Sequence, residues 1–168
     1  MDDKELVHFF ESQELMAMAK PIFETQKKKL NSILSNADIQ QVGSSSVPGA
    51  IGKFDVDIQI RVNKSQFADI REIMKQNYTP KRLDLWCDEL AVFICDTGEC
   101  KIDLPLTVIG SKYDNYYKVR DRLISDASLL KKYNDLKRMY EGKTISEYKA
   151  AKIKFLGTND DVIFLREK

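Results

Sequence analysis

The 168-residue sequence has few of the side chains that many catalytic and metal sites require. Its one histidine, His8, leaves no means of building a Ser-His-Asp triad or a multi-histidine metal site. Its three cysteines, Cys87, Cys95 and Cys100, form no CxxC pair, which argues against a disulfide framework and a thiolate zinc site. No run reaches the roughly 18 apolar residues of a membrane span, and the acidic start lacks the cationic region of a signal peptide. We therefore expect reduced thiols and a cytoplasmic protein.

Overall charge is also almost absent, because 27 Lys and Arg stand against 26 Asp and Glu, for a net charge of +1. The whole molecule therefore has no field that would favour nucleic acid or a membrane surface, and we expect neither as a partner. The length fits one domain, with 43% hydrophobic and 32% charged residues, an ordinary soluble balance. We expect a single domain over residues 1–168 whose ligand is bound by a local site.

The most informative segment alternates strictly between apolar and polar residues from Phe54 to Val62, which predicts a half-buried strand. Two further strand patterns, Leu90–Cys95 and Cys100–Val108, flank a turn at 96–99 and predict a hairpin. Pro105 cannot donate a hydrogen bond to a neighbouring strand. We therefore expect the second arm of the hairpin to lie at a sheet edge or to end there.

Helical periodicity accounts for much of the remaining chain. It predicts one helix from Pro21 to about Ser35, one capped by Ser65, and further helices with start signals at Asp126 and at Thr144. The sequence thus divides into a sheet-containing part, residues 1–108, and a helical part, residues 109–168.

Two aspartates lie inside the alternating strand, although aspartate is depleted in strands. Asp55 and Asp57 are two residues apart, so both carboxylates lie on one face, about 7 Å apart along the strand. A hard divalent cation such as Mg²⁺ would offset their repulsion, since it takes oxygen ligands from one or two carboxylates and leaves positions for substrate phosphates. The alternative is that this polar face simply meets solvent.

The loop just upstream suits a phosphate. Gly43 lets an anion approach the backbone closely, Ser44 adds a hydroxyl donor, and successive amides in such a turn can form an anion-binding nest. The alternative is an ordinary turn, which glycine and serine mark equally well.

A third carboxylate, Asp103, lies on the polar face of its own predicted strand. If that strand neighbours the strand from Phe54 to Val62, three carboxylates converge, as two-metal phosphoryl transfer requires. The alternative is a surface aspartate on an edge strand, where charge discourages aggregation.

These residues carry a resemblance to a known family. GSSSVPGAIGKFDVD has Gly-Ser, ten residues and then Asp-x-Asp, which resembles the signature of the polymerase-β-type nucleotidyltransferase superfamily. More narrowly, VGSSSVPGAIGKFDVDIQI is similar to a segment of the bacterial GrpB-like family. The stretch that begins GSKYDNYYKVRDRL resembles that family's C-terminal part, and the likeness covers about Pro21 to Leu156.

The resemblance implies an α+β nucleotidyltransferase (polymerase-β-like) fold, with a mixed sheet flanked by helices and a helical C-terminal part. It implies a nucleoside triphosphate with Mg²⁺, and transfer of a nucleotidyl group to an acceptor hydroxyl with release of pyrophosphate. Gly43 and Ser44 would hold the β and γ phosphates, and Asp55 and Asp57 would ligate the metals. Asp103 would join the second metal and take the proton from the acceptor, which we expect to be a small molecule.

Basic and aromatic residues supply further candidates. Arg120, Lys137 and Lys152 match the family's C-terminal pieces and, with Lys53, are expected to neutralise a triphosphate. For each, the alternative is a solvated helix face. The tyrosines at 113, 116 and 117 could stack on a base, although core packing of a helix face explains them too.

Three functions remain open at this point. The first is a metal-dependent nucleotidyltransferase, and the second is a catalytically inactive nucleotide-binding or regulatory protein that keeps the cleft. Asp103 separates these two, because binding needs only the phosphate loop and one metal, whereas transfer needs the third carboxylate. The third is an interaction module whose helical half is the working surface.

Overall fold

The computed structural model describes residues 5–158, and its strands form one mixed sheet. The strands, all within that range, are β1 (Asp38–Val42), β2 (Asp55–Val62), β3 (Thr79–Lys81), β4 (Leu90–Asp96) and β5 (Lys101–Val108). Their order across the sheet is β1-β2-β5-β4-β3. β2 and β5 are parallel, and the other neighbouring pairs are antiparallel. The alternating strand, the hairpin and the mixed sheet predicted from the sequence are therefore confirmed.

One face of the sheet packs against two helices, α1 (Ser12–Ile33) and α2 (Lys64–Asn77). The apolar residues of the β2 alternation provide the centre of this core, where Val56, Ile58, Ile60 and Val62 are fully buried. The opposite face of β2 carries Asp55, Asp57, Gln59 and Arg61. This polar face is therefore available for a functional site and for the residues that position it.

The start predicted for the first helix is wrong, since α1 begins at Ser12 and contains Pro21. Proline at position 21 resembled a helix start because its fixed φ suits a first turn. The buried residues Leu15, Ala19 and Leu30 lie on one helical stripe that extends upstream of the proline, and their burial favours the longer helix. The second helix likewise starts earlier than predicted, after Asn63 rather than Ser65.

The predicted edge position of β5 is also wrong, because β5 is the central strand. The parallel β2–β5 register runs from Asp57↔Asp103 to Ile60↔Leu106 without a pairing at Leu104 or Pro105. Pro105 is thus tolerated inside the sheet where pairing with β2 is interrupted, and it still lies opposite Val92 of β4.

Three helices follow the sheet: α3 (Tyr116–Ser125), α4 (Ala127–Met139) and α5 (Ile145–Thr158). Both predicted start signals are confirmed. The Asp126 carboxylate accepts from Leu129 N at 2.9 Å, while Thr144 and Glu147 form a reciprocal capping box. A second core joins these helices to the loop after β1, through Val47, Ala50, Leu123, Leu129, Tyr133 and Leu156. Among the described residues, no helix combines the length and apolar character needed to cross a membrane.

A buried polar network fixes the start of α3 on the sheet. Arg61 donates from Nε and Nη2 to the two carboxylate oxygens of Asp114, at 2.6 and 2.8 Å, and Asp114 is 2% exposed. Gln59 donates to Asp114 at 3.1 Å and accepts from the backbone N–H of Tyr117 at 3.1 Å. The polar face of β2 therefore continues past Asp57 as the attachment of the helical part.

Candidate functional site

Asp57 of β2 and Asp103 of β5 lie directly opposite each other on neighbouring parallel strands. Asp55, two residues earlier on β2, is opposite Lys101. All three aspartates line one pocket on the polar face of the sheet, which confirms the prediction that their strands are neighbours.

The Gly43–Ser44 loop lies against the same carboxylates. β1 ends at Val42, which pairs with Asp57, so the chain turns directly beside that residue. Gly43 has φ +73° and ψ −175°, a conformation essentially restricted to glycine. A Cβ at this position would lie 2.1 Å from Asp57 Oδ2, so the loop backbone touches the carboxylate.

The pocket has a volume of about 230 Å³. The lining includes all but one of the residues expected from the sequence to bind phosphate or metal: Gly43, Ser44, Lys53, Asp55, Asp57, Asp103, Arg120 and Lys152. Its other side is apolar and aromatic, with Val119, Leu123, Leu156, Tyr116, Tyr133 and Tyr148. The pocket thus joins a charged floor to a wall suited to a ring system.

Lys137 is the exception, because it is fully buried and does not line the pocket. Its ammonium nitrogen donates to Ser44 Oγ at 2.7 Å and to the carbonyl of Ile51, and lies 4.0 Å from the centre of the Tyr133 ring. Burial and the neighbouring Lys152 hold the pKa of Lys137 well below its usual range, against the opposing effect of Asp55. Lys137 therefore stabilises the Gly43–Ser44 loop from the protein interior.

Burial and the neighbouring carboxylates both favour the protonated form of Asp57. Burial, together with the Asp55 and Asp103 carboxylates, raises the pKa of Asp57 to about 7, although Lys152 and Lys53 oppose the shift. Tyr133 and the three carboxylates in turn raise the pKa of Lys152, so its ammonium stays charged beside them.

The other two carboxylates each have a lysine partner. Lys53 Nζ lies 2.9 Å from Asp55 Oδ2, and Lys81 Nζ lies 2.6 Å from Asp103 Oδ1. Lys81 was not identified from the sequence, because the short strand β3 that carries it gives no periodicity signal.

The donor chemistry at this floor suits a hard divalent cation. Asp57 and Asp103 offer carboxylate oxygens from opposed positions, and Mg²⁺ is usually bound by one or two carboxylates. Within residues 5–158, no three acidic, histidine or cysteine side chains are gathered closely enough to hold one ion. The types of residue present are thus suitable ligands for Mg²⁺, and two of the three aspartates form ion pairs with lysines.

Arg120 lines the pocket and is anchored to the edge of the sheet. Its Nη1 donates to the carbonyl of Gln41 at 2.8 Å, and its Nη2 donates to Gln40 Oε1 at 3.0 Å. Its guanidinium therefore ties α3 to β1 beside the phosphate loop.

Two of the three tyrosines considered for base stacking, Tyr116 and Tyr117, have different environments. Tyr116 lines the pocket, and burial together with Asp57 and Asp103 raises its pKa, so its phenol stays protonated. Tyr117 instead lies under the Arg61 guanidinium, whose Cζ is 4.2 Å from the ring centre. The pocket tyrosines that the sequence did not indicate, Tyr133 and Tyr148, come from α4 and α5.

A second cleft, of about 670 Å³, meets the first at the carboxylates. Both are lined by Lys53, Asp55, Asp103 and Lys149. The second cleft extends to Lys81, Lys101 and the turn of the β4–β5 hairpin. The acidic floor is thus reached from two sides.

Comparison with solved structures shows that the chain has the polymerase-β-type nucleotidyltransferase fold. The Cid1 poly(U) polymerase structure with MgGTP bound superposes with a TM-score of 0.50 at 14% identity, over 73% of this chain and 41% of that chain. The chain thus spans less than half of that polymerase, and the likeness is one of fold.

The family follows from matches over most of the chain. The profile of the GrpB protein family matches residues 17–160, and the chain belongs to this family. A UPF0157 protein of Vibrio cholerae is 26% identical over 153 residues, which cover 89% of this chain and 80% of the relative. The crystal structure of a GrpB protein from Enterococcus faecalis superposes with a TM-score of 0.63 at 16% identity, over 79% of this chain and 81% of that one.

Proposed function

We propose that this protein is a Mg²⁺-dependent nucleotidyltransferase that moves a nucleotidyl group from a nucleoside triphosphate to an acceptor hydroxyl. The observation that carries the proposal is the opposition of Asp57 and Asp103 directly beneath the Gly43–Ser44 loop. Carboxylates beside a glycine-serine turn in one pocket are groups that phosphoryl transfer uses.

The triphosphate would lie on the loop. The Ser44 hydroxyl and the backbone of the turn would bind the β and γ phosphates, and the missing side chain of Gly43 lets the Asp57 carboxylate lie against that turn. Lys152, Arg120 and Lys53 line the same pocket and would balance the phosphate charge. The apolar and aromatic wall opposite would receive the nucleoside.

Asp55, Asp57 and Asp103 would together hold two Mg²⁺ ions, rather than gather around a single one. When bound, the metal would neutralise both the carboxylates and the phosphate oxygens that they face. The residues themselves orient the substrates: the loop fixes the phosphates, and the β2–β5 pair fixes the carboxylates relative to the loop.

In the transfer, the acceptor oxygen forms a bond to the α-phosphorus as the bond from that phosphorus to the bridging β-phosphate oxygen breaks. The electron pair of the broken bond leaves with pyrophosphate, and the hydroxyl proton passes to Asp103. The acceptor, a small molecule in this proposal, would enter through the second cleft, because that cleft is lined by Asp103 but not by Gly43 or Ser44.

Lys137 would act through Ser44. Its contact with the Ser44 hydroxyl would keep that oxygen oriented for the phosphates, and Lys137 itself would touch no substrate. In this proposal it is a positioning residue rather than a binding residue.

A second candidate, a catalytically silent nucleotide-binding protein, is favoured by the lysine partners of Asp55 and Asp103. Ion pairs already neutralise two of the three carboxylates, and a binder could keep them. The two functions differ in what Asp103 must do, so its substitution distinguishes them.

The test is calorimetric titration with each of the four ribonucleoside triphosphates, with and without Mg²⁺, followed by pyrophosphate release with a panel of hydroxyl acceptors. We expect Mg²⁺-dependent binding, and pyrophosphate release that is abolished in Asp57→Asn and strongly reduced in Asp103→Asn. The exposed Asp135→Asn is the matched control and should behave as wild type. Binding without any release would favour the silent binder, and no binding of any triphosphate would exclude both candidates.

A further inference from the structure

Lys81 is a cation at the candidate site that the proposed transfer does not use. It lies on the edge strand β3, while its partner Asp103 lies on the central strand β5, with β4 between them. The Lys81 side chain therefore crosses one strand to place its ammonium 2.6 Å from Asp103 Oδ1.

The backbone of Lys81 is held from two directions. Lys81 pairs with Val92 of β4, and its carbonyl accepts a hydrogen bond from the indole Nε1 of Trp86 at 3.0 Å. The Trp86 ring packs on Phe93, which is fully buried, with ring centres 5.1 Å apart. The ion pair thus joins two fixed points of the sheet, unlike a pair between two mobile surface side chains.

The position of the pair gives it a chemical consequence. The carboxylate that Lys81 neutralises is the one that lies directly opposite Asp57. A metal ion that uses Asp103 binds the same carboxylate, and its positive charge is repelled by an ammonium at that distance. Lys81 and the metal therefore compete.

We propose that Lys81 is a positioning residue whose ammonium holds Asp103 in the metal-free protein and is displaced when a divalent cation binds. The proposal rests on the proposed function, since it concerns the metal of that site. The displaced ammonium remains in the second cleft, which Lys81 lines, next to where the acceptor would lie.

The test uses Mn²⁺ alone as the probe, titrated by calorimetry and by electron paramagnetic resonance at about pH 8, above the pKa of about 7 of Asp57. The Lys81 and Asp103 side chains are 27% and 34% exposed, so the pair contributes up to about 1 kcal/mol, equivalent to about fivefold in affinity. We expect Lys81→Met to bind Mn²⁺ about fivefold more tightly than wild type. A local packing defect would weaken binding instead.

Further variants test whether the gain in Mn²⁺ affinity comes from the contact between Lys81 and Asp103. Lys101→Met removes a charge that lines the same cleft but is not the partner of Asp103, and should change the affinity by less than Lys81→Met. In an Asp103→Asn background, Lys81→Met should give no gain, because the competed ligand is gone. Lys81→Gln provides a second neutral side chain if the methionine variant folds poorly.

The outcomes separate this proposal from the proposed function. Wild-type binding with equal or weaker affinity in both neutral variants would overturn the role of Lys81 and leave the metal site standing. A gain that persists in the Asp103→Asn background would also overturn it. Failure of wild type and of both neutral variants to bind Mn²⁺ would overturn both the metal site and the proposed displacement of Lys81 by the metal.

Discussion

Gly43 lies so close to Asp57 that a Cβ on the glycine would be 2.1 Å from the carboxylate oxygen Oδ2. The loop proposed to receive phosphate and the carboxylate proposed to receive metal are therefore in direct contact. The absence of a side chain at this one position therefore permits the close approach of the two halves of the site.

Gly43→Ala should therefore be severely destabilising. The substitution combines a glycine-restricted backbone conformation with a clash against Asp57, and we expect a loss of about 3 kcal/mol or more in the free energy of unfolding. Gly142→Ala is the matched control, because Gly142 has φ +72° and open space around it. It should cost only about 1–2 kcal/mol. Urea unfolding measures both, and equal losses would show that the contact with Asp57 is unimportant.

The raised pKa of Asp57 predicts a pH dependence of stability in the metal-free protein. An unperturbed aspartate loses its proton near 3.8, whereas Asp57 keeps its proton up to about 7 in the folded state. Between these values the folded state binds more protons than the unfolded chain, so this group lowers the free energy of unfolding as the pH rises. Asp57→Asn should remove that decline. The free energy of unfolding of the variant minus that of wild type should therefore be larger at pH 8 than at pH 4.

Thermal and urea unfolding in EDTA between pH 4 and 8 measure this difference. The exposed Asp69→Asn should leave the profile of wild type unchanged. Parallel profiles for wild type and Asp57→Asn would contradict a pKa of Asp57 raised by burial and by the neighbouring carboxylates.

The site could be predicted to the extent that its residues are close in sequence or lie on regular strands. The alternation from Phe54 to Val62 placed Asp55 and Asp57 on one face, and the hairpin placed Asp103 on the corresponding face of its strand. Their adjacency required that β5 be central, and the local preference of Pro105 for a sheet edge indicated the opposite. Tertiary pairing outweighed that preference because the β2–β5 register is interrupted at the proline.

Two lysines have positions that the sequence did not predict: Lys81 was not indicated at all, and Lys137 was expected to face the triphosphate but is buried. Lys81 comes from a three-residue edge strand, and Lys137 comes from a helix whose pattern shows only that it is amphipathic. Helical periodicity cannot distinguish a lysine on a solvated face from one buried behind a loop 93 positions away. Asp114 likewise pairs with Arg61 only because the fold brings the start of α3 onto the sheet.

Lys137→Met should destabilise the protein and loosen the phosphate loop. It leaves the Ile51 carbonyl and the Ser44 hydroxyl without their buried donor, for an expected loss of about 1–3 kcal/mol in the free energy of unfolding. Lys132→Met, at an exposed position of the same helix, should change stability by less than about 0.5 kcal/mol.

A double-mutant cycle with Ser44→Ala tests whether Lys137 acts through Ser44. We expect the losses in triphosphate affinity of the two single variants to be non-additive, because each removes the same contact. Additive losses would indicate that Lys137 affects the nucleotide by another route.

Asp114→Asn should detach the start of α3 from the sheet. Asp114 is 2% exposed and accepts two hydrogen bonds from Arg61, so its neutralisation leaves the guanidinium with Asp38 as its remaining charged partner, at an expected cost of about 1–3 kcal/mol. α3 carries Tyr116 and Arg120 to the pocket, so triphosphate affinity should fall as well. Asp121→Asn, an exposed aspartate on the same helix, is the control and should retain near wild-type stability. Urea unfolding and calorimetry measure the two effects, and unchanged stability in Asp114→Asn would show that α3 is positioned by its apolar contacts alone.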